Sequence, residues 1–144
     1  MATVAGLRPG VQPVTVVHQV EVPGAAGTGL RPGGESKPLA VMVRPAIGAL
    51  TASAAAGPTD PARTVTVAVT PLPSADQSAE LTLEATTGSA RRASRTFTIA
   101  GANLVFSFPD LPVGTWLVRL AIDGAGSLPS MTGGVYAGPT VVTT

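Results

Sequence analysis

The sequence predicts an all-β fold, an antiparallel β-sandwich, from three observations. Apolar residues recur at every second position in several short runs, which is the period of a strand with one face buried. Valine and threonine fill these runs, and their branched side chains suit a pleated sheet. The 17 glycines and 14 prolines divide the chain into short segments, which favours many strands over a few long helices.

Eight runs are predicted to be strands. In chain order they are residues 14–22, 39–44, 63–70, 79–86, 95–100, 103–108, 115–123 and 139–144. The clearest is RTVTVAVT at 63–70, where Val65, Val67 and Val69 alternate with polar or small residues. The intervening segments at 23–36, 73–78 and 123–134 are predicted to be turns. The alanine-rich segment 46–57 lacks capping signals, so it is predicted to be a loop with one helical turn at most.

The run after the turn at 109–115 is predicted to enter the core. It holds Trp116, the single tryptophan of the chain, followed by Val118 and Leu120 on the same face. Pro112 and Gly114 shape the preceding corner, because proline fixes φ and glycine permits a positive φ. These residues, together with Phe106 of the previous strand, are predicted to form structural core, and Trp116 is interpreted as a packing residue rather than a stacking platform for a ligand.

Length and composition exclude several classes of protein. A chain of 144 residues is predicted to form one domain over residues 1–144. Its net charge of +1 favours neither nucleic-acid binding nor an anionic membrane surface, and the absence of cysteine excludes disulfides and thiolate metal sites. It has no apolar run long enough to span a membrane and no signal-peptide pattern at its start.

No catalytic, metal-binding or cofactor-binding residue is predicted. His18 is the single histidine, and its place in a valine-rich run favours a partly buried side chain bonded to a backbone carbonyl. The carboxylates are scattered, and Glu80 and Glu84 are spaced to face solvent from one strand. A transition-metal site needs several converging ligands, and nucleophilic catalysis needs a nucleophile with a neighbouring base. The sequence offers neither arrangement, so it predicts a protein that is not an enzyme.

Two features are candidates for contact with another protein. Arg91, Arg92 and Arg95 lie in the segment ARRASR, which is predicted to be a solvated loop; it offers a secondary electrostatic contact for an acidic partner or a phosphate. The last strand, PTVVTT, has no charged side chain. Val142 and Thr144 are therefore predicted to lie on an undefended sheet edge that can accept a strand from a neighbour.

Four segments carry a resemblance to a known family. Residues 10–20, 29–47, 106–129 and 137–144 resemble, in similar order, the C-terminal immunoglobulin-like domain of the cap (tube-terminator) proteins of phage-tail-like extracellular contractile injection systems. The resemblance implies an immunoglobulin-like sandwich of about seven to eight strands, without enzymatic activity or cofactor. It also implies cap, sheath or tube proteins as partners, homo-oligomers through the parent assembly, and assembly in the bacterial cytoplasm with later release.

One departure limits that resemblance. Cap proteins of this family carry a larger N-terminal domain that joins the tube and sheath, and this chain lacks it, so no capping contact is assigned to its residues. An alternative function is a ligand-binding or adhesion module of the carbohydrate or cell-surface type. Such a module needs two or three exposed aromatic side chains, and the chain has only five aromatic residues in all.

Overall fold

The protein is all-β and built from antiparallel sheets. A computed structural model describes residues 6–24, 27–55, 57 and 61–144, and over these residues it contains strands and no helix. No helix in this part of the chain is therefore long and apolar enough to cross a membrane. The strands are β1 (Gly10–Val14), β2 (Val17–Gly24), β3 (Gly27–Glu35), β4 (Leu39–Val43), β5 (Ala46–Ala52), β6 (Arg63–Thr70), β7 (Ala79–Ala85), β8 (Arg91–Ser94), β9 (Phe97–Ala100), β10 (Asn103–Phe108), β11 (Gly114–Ile122), β12 (Ala125–Gly126), β13 (Ser130–Thr132), β14 (Val135–Gly138) and β15 (Thr140–Thr143).

Two larger sheets enclose one hydrophobic core. The first has the strand order β5-β6-β10-β9, and the second has the order β12-β11-β7-β8 with β15 also paired to β11. We refer to residues 46–144, which include both sheets, as the body. Its buried apolar core consists of Val65, Val67, Val69, Ala79, Leu81, Leu83, Leu104, Phe106, Phe108, Leu111, Trp116, Val118, Leu120, Ile122 and Val141.

The alternation predicted for the strands of the body is present in β6, β10 and β11. In β6 the three valines are buried while the residues between them are only partly covered. Strand β11 lies inside the second sheet, paired with β7 along residues 116–122 and with β15 along residues 114–117. Its buried face meets the buried face of β6 and β10, so one alternating face of each sheet fills the core.

Residues 10–43 form a separate two-stranded ribbon, which we call the arm. Strand β1 pairs with β4 from Gly10↔Val43 to Val14↔Leu39, and β2 pairs with β3 from Val17↔Glu35 to Gly24↔Gly27. Between the two ladders, Ser36 bonds Val16 twice: its N–H donates to the Val16 carbonyl, and its hydroxyl accepts from the Val16 N–H. At about 3.3 Å per residue, fifteen residues of ribbon extend about 50 Å.

Several predicted boundaries are wrong, and each error has a physical reason. The predicted strand 14–22 is interrupted between Val14 and Val17. The predicted turn 23–36 contains the whole of β3, because glycine and proline are tolerated in a ribbon exposed on both faces. The predicted loop 46–57 contains β5, and the predicted turn 123–134 contains β12 and β13. The structure therefore has more strands than the seven to eight predicted.

Candidate functional site

The arm exposes apolar side chains that the body would bury. Over the part of the chain that the structure describes, ten of the seventeen large apolar residues that are exposed belong to it. They are Val11, Val14, Val16, Val17, Val20, Val22, Leu30, Leu39, Val41 and Met42. Scattered exposed apolar residues are ordinary, but this many on one element make the arm a candidate interaction surface.

The arm has no core of its own. It consists of two strands, so neither face is covered by a second layer, and residues 1–96 contain no aromatic side chain that could fill such a layer. Isolated two-stranded ribbons are marginally stable in water and need further strands or a packing partner. The exposed area agrees with this: the chain exposes 9057 Å², whereas a compact monomer of its mass exposes about 6,800 Å².

The two long edges of the arm differ in their capacity to accept a strand. Strand β3 carries Pro32 in its interior, and proline has no N–H to donate to a ladder. In β2 the single proline is Pro23, close to the end of the strand. A register shift next to His18 brings Gly33 against Val20, where a Cβ on residue 33 would overlap the Val20 side chain. The β2 edge is therefore the better acceptor.

A polar cluster fixes the base of the arm to the body. The Gln77 amide donates to the Pro9 carbonyl at 2.6 Å and to Asp123 Oδ2 at 2.8 Å. Asp123 Oδ1 accepts from the Ser78 N–H at 2.9 Å and from the Ser78 hydroxyl at 2.8 Å. Directly after β4, Arg44 donates to the Gly126 carbonyl at 3.2 Å. The residues that flank both ends of the arm, Pro9 and Arg44, are thus bonded to the body.

Asp123 is the electrostatic centre of this cluster. Hydrogen bonds from Gln77 and Ser78 to its carboxylate lower its pKa below the ordinary value. Its backbone has a φ of 46°, which is uncommon outside glycine and tolerated best by Asp and Asn. This conformation turns the chain after β11, and Gly124 follows with a φ of 79°. The carboxylate is consequently held in place by backbone geometry as well as by its donors.

The three arginines predicted to lie in a solvated loop lie on or beside a strand. Arg91 and Arg92 belong to β8, which pairs with β7, and Arg95 follows directly. Arg92 bonds the Asp110 carboxylate at 3.2 Å, and Arg95 bonds Glu80 at 2.5 Å, so two of the three guanidinium groups have a carboxylate partner within the chain. The bond from Arg95 also lowers the pKa of Glu80.

The last strand lies at an edge of the second sheet. Val142 is 59% exposed and Thr144 is exposed, whereas Val141 and Thr143 point into the core. Strand β15 also lies close to β5 of the first sheet. The role of this edge as an acceptor for a neighbouring strand stays a prediction.

The tryptophan corner is buried, but not in the way predicted. Trp116 is 2% exposed, and Phe106, Val118 and Leu120 are buried with it. Its indole N–H donates to Thr143 Oγ1 at 3.2 Å, and the Thr143 hydroxyl lies 2.7 Å from the Pro112 carbonyl.

Pro112 and Gly114 play different roles from those predicted at that corner. Pro112 is exposed, so it is not a core residue. Gly114 is absent from the residues with positive φ, because it already begins the extended strand β11. The corner depends on the Thr143 hydroxyl rather than on a left-handed glycine.

His18 is exposed on the arm, contrary to the prediction of a partly buried side chain, because no second sheet covers β2. Glu80 and Glu84 are each partly covered and paired, with Arg95 and Arg119 respectively. Among the residues that the structure describes, no group of three or more His, Cys, Asp or Glu side chains is placed to hold a metal ion.

The family comparison identifies a domain family, and the description of that family names no activity. Residues 45–142 match the model of a family described as a domain of unknown function, DUF8756, and the chain belongs to that family. The matched region coincides with the body, and the arm precedes it. Searches of curated proteins and of solved structures found no significant match.

Proposed function

We propose that the chain is a non-enzymatic structural module that acts through protein–protein contacts, with the arm as its docking element. The observation that carries this proposal is the contrast in apolar exposure. Exposing ten large apolar side chains on an element without a core destabilises the isolated protein's arm, and contact with another protein removes that penalty. The hydrogen bonds of Gln77 and Arg44 hold the base of the arm against the body.

The body fits the role of an immunoglobulin-like carrier. Its two antiparallel sheets share one core, and their inner faces alternate with outer ones as in sandwich domains. We propose this immunoglobulin-like assignment for the body alone, since the arm lies outside both larger sheets. A sandwich is a rigid base for an extended element that must reach a partner.

We further propose that the module belongs to the cap of a contractile injection system, with cap, sheath or tube proteins as partners, in a particle assembled in the bacterial cytoplasm. The support is the resemblance of four segments. Two of them, residues 10–20 and 29–47, coincide largely with the arm, and residues 106–129 include β11 and its corner. In this setting the arm is the part of the module that reaches the neighbouring subunit.

The carbohydrate-binding alternative lacks an aromatic platform. All five aromatic residues of the chain lie in the described region: Phe106, Phe108 and Trp116 are buried, and Phe97 and Tyr136 are partly buried. Phe97 packs against Phe106 with ring centroids 5.6 Å apart. Arg119 lies over the Tyr136 ring at 4.8 Å, and that ring's hydroxyl donates to the Val118 carbonyl at 2.9 Å. Sugar stacking therefore has no free ring to use.

A binding experiment with matched charge variants tests the docking role. Tube–sheath particles purified without their cap are mixed with the full chain, and co-sedimentation is measured. We expect the triple variant Leu30→Glu, Leu39→Glu, Met42→Glu to lose binding, because it places charges on the apolar arm. Val113→Glu, at an equally exposed apolar position of the body, should retain it. Equal binding by both variants would contradict the proposal for the arm.

A further inference from the structure

The arm has a free strand edge, and its sequence defines what fits there. We propose that the arm pairs with the arm of a second copy of this chain: β2 lies antiparallel to β2 of the other copy, around a two-fold axis at Val20. This inference rests on the proposed docking role of the arm and names the partner. The two ribbons together make a four-stranded sheet, which satisfies the requirement for more than two strands.

The choice of β2 follows from its backbone. Strand β3 has Pro32 at mid-strand, and proline has no N–H to donate, whereas every residue of β2 from Val17 to Val22 has one. In an antiparallel pair alternate N–H groups point away from the partner strand, so β2 keeps a full set on its second edge. Among the residues that the structure describes, β2 pairs with β3 alone. Its second edge is open to an incoming strand.

The register follows from symmetry and charge. A two-fold axis perpendicular to a sheet places some residue opposite its own copy, so the centre of an eight-residue strand falls on Val20 or Glu21. A centre at Glu21 would place two carboxylates directly opposite each other, which is unfavourable. A centre at Val20 pairs valine with valine and places each Gln19 amide opposite a Glu21 carboxylate. That arrangement has no like-charge pair.

The chain exposes more surface than a compact monomer of its mass, by about 2,300 Å² over its whole length. Specific interfaces bury about 800 Å² on each partner, so the excess is larger than one such interface. Val17, Val20 and Val22 are each between 41% and 45% exposed and lie on β2, the strand that would pair along its edge with the second copy.

Single cysteines test the register, since the natural chain contains none. In the full-length Val20→Cys variant the two Cβ atoms of a dimer lie about 5 Å apart, close enough for a disulfide after small adjustment. In Val22→Cys the two positions are offset by four residues, or about 13 Å, and cannot be bridged. We expect a disulfide-linked dimer from Val20→Cys and monomer from Val22→Cys on a non-reducing gel, and a mixed dimer when Gln19→Cys and Glu21→Cys are combined.

Charge variants test the association itself by sedimentation velocity. Val20→Glu places two carboxylates opposite each other and should weaken dimerisation about tenfold or more. Val20→Gln, of similar shape without the charge, should associate nearly as well as the natural chain. Val113→Glu, at an exposed position of the body, should leave the dimer unchanged. Circular dichroism of each variant checks that the sheets are intact.

The outcomes separate this inference from the docking role. A dimer that crosslinks through Val22→Cys instead of Val20→Cys, or that Val113→Glu disrupts and Val20→Glu does not, would overturn the proposed register. A strict monomer that still binds the particle through its arm would overturn the second copy as partner and leave the docking role in place. A monomer whose arm variants bind the particle as the natural chain does would overturn both.

Discussion

Strands β6 and β2 are both eight residues long and rich in valine, yet their environments are opposite. In β6, which belongs to the body, Val65 and Val67 are fully buried and Val69 is 4% exposed. In β2, which belongs to the arm, Val17 is 45% exposed and Val20 and Val22 are 41% exposed. Alternation therefore specifies that a strand has two faces, whereas the presence of a second layer decides whether one of them is buried.

All five aromatic residues of the chain lie in the body and none lies in the arm. Phe106 and Trp116 supply the volume that bridges the two sheets of the body, and the chain has no aromatic residue before position 97. Without such side chains a ribbon of valine, glycine and proline closes no core. The family match over residues 45–142 follows the same division, since it covers the body and begins after the arm.

The largest effect that we predict is a loss of stability caused by a substitution in the body. Trp116→Ala removes a side chain that is 2% exposed and should lower the free energy of unfolding by about 3–5 kcal/mol. Val20→Ala, on the arm, should change it by less than about 0.5 kcal/mol in the monomer. Urea titrations followed by circular dichroism measure both. Equal losses from the two variants would show that the arm and the body are stabilised alike.

A second variant tests the hydroxyl at the tryptophan corner. Thr143 is 1% exposed and serves both the Trp116 indole N–H and the Pro112 carbonyl. Thr143→Val leaves both groups without their partner and should cost about 1–3 kcal/mol by the same urea titration. Thr143→Ser keeps the hydroxyl and should cost less. If the serine and valine variants were equally unstable, packing rather than hydrogen bonding would explain the corner.

The base of the arm is predicted to respond to pH. Because the pKa of Asp123 in the folded protein lies below its ordinary value of 3.8, the carboxylate stabilises the fold fully above that value. The contribution is lost as the pH falls through the lower folded-state pKa. Asp123→Asn should therefore flatten the fall in melting temperature at acidic pH. Parallel pH curves for the variant and the natural chain would contradict the role assigned to Asp123.

The smallest effect is expected at the surface of the body. Arg92 and Asp110 form an ion pair at 3.2 Å with side chains 35% and 64% exposed. Exposed pairs contribute about 0–1 kcal/mol, so Arg92→Ala should lower stability by no more than that, and less at high salt. A double-mutant cycle with Asp110→Ala measures the coupling. A coupling free energy as large as the effect of Thr143→Val would contradict the expectation that this exposed pair contributes little to stability.

The sequence predicted the central strands of the body because their period and their burial coincide. Strands β6, β10 and β11 were located by alternation, and their buried valines, phenylalanines and tryptophan form the core. Strand β5 was missed, since its alanine content favours other conformations locally. Its pairing with β6 and the packing of Ile47 and Leu50 against the core override that propensity.

The arm was harder to predict because its strands are exposed. Glycine and proline in residues 23–36 are rare inside buried strands and therefore indicate turns, but an exposed ribbon tolerates both. Strand β3 was missed for this reason. The anchor from Gln77 to Pro9 joins residues 68 positions apart, and no local pattern records such a contact. The absence of aromatic residues before position 97 does not mark the arm either, since β6 and β7 of the body also precede that position and are buried.

Amide hydrogen exchange on the full chain, compared at dilute and high concentration, tests most directly whether the arm depends on a partner while the body does not. In dilute solution, peptides from residues 63–70 and 114–122 should exchange slowly, and peptides from residues 17–24 and 27–35 should exchange quickly. At high concentration the arm peptides should become protected, with little change in the body. Arm amides as protected as those of the body in dilute solution would contradict the claim that the arm depends on a partner. Arm exchange that does not depend on concentration would contradict the second copy as that partner.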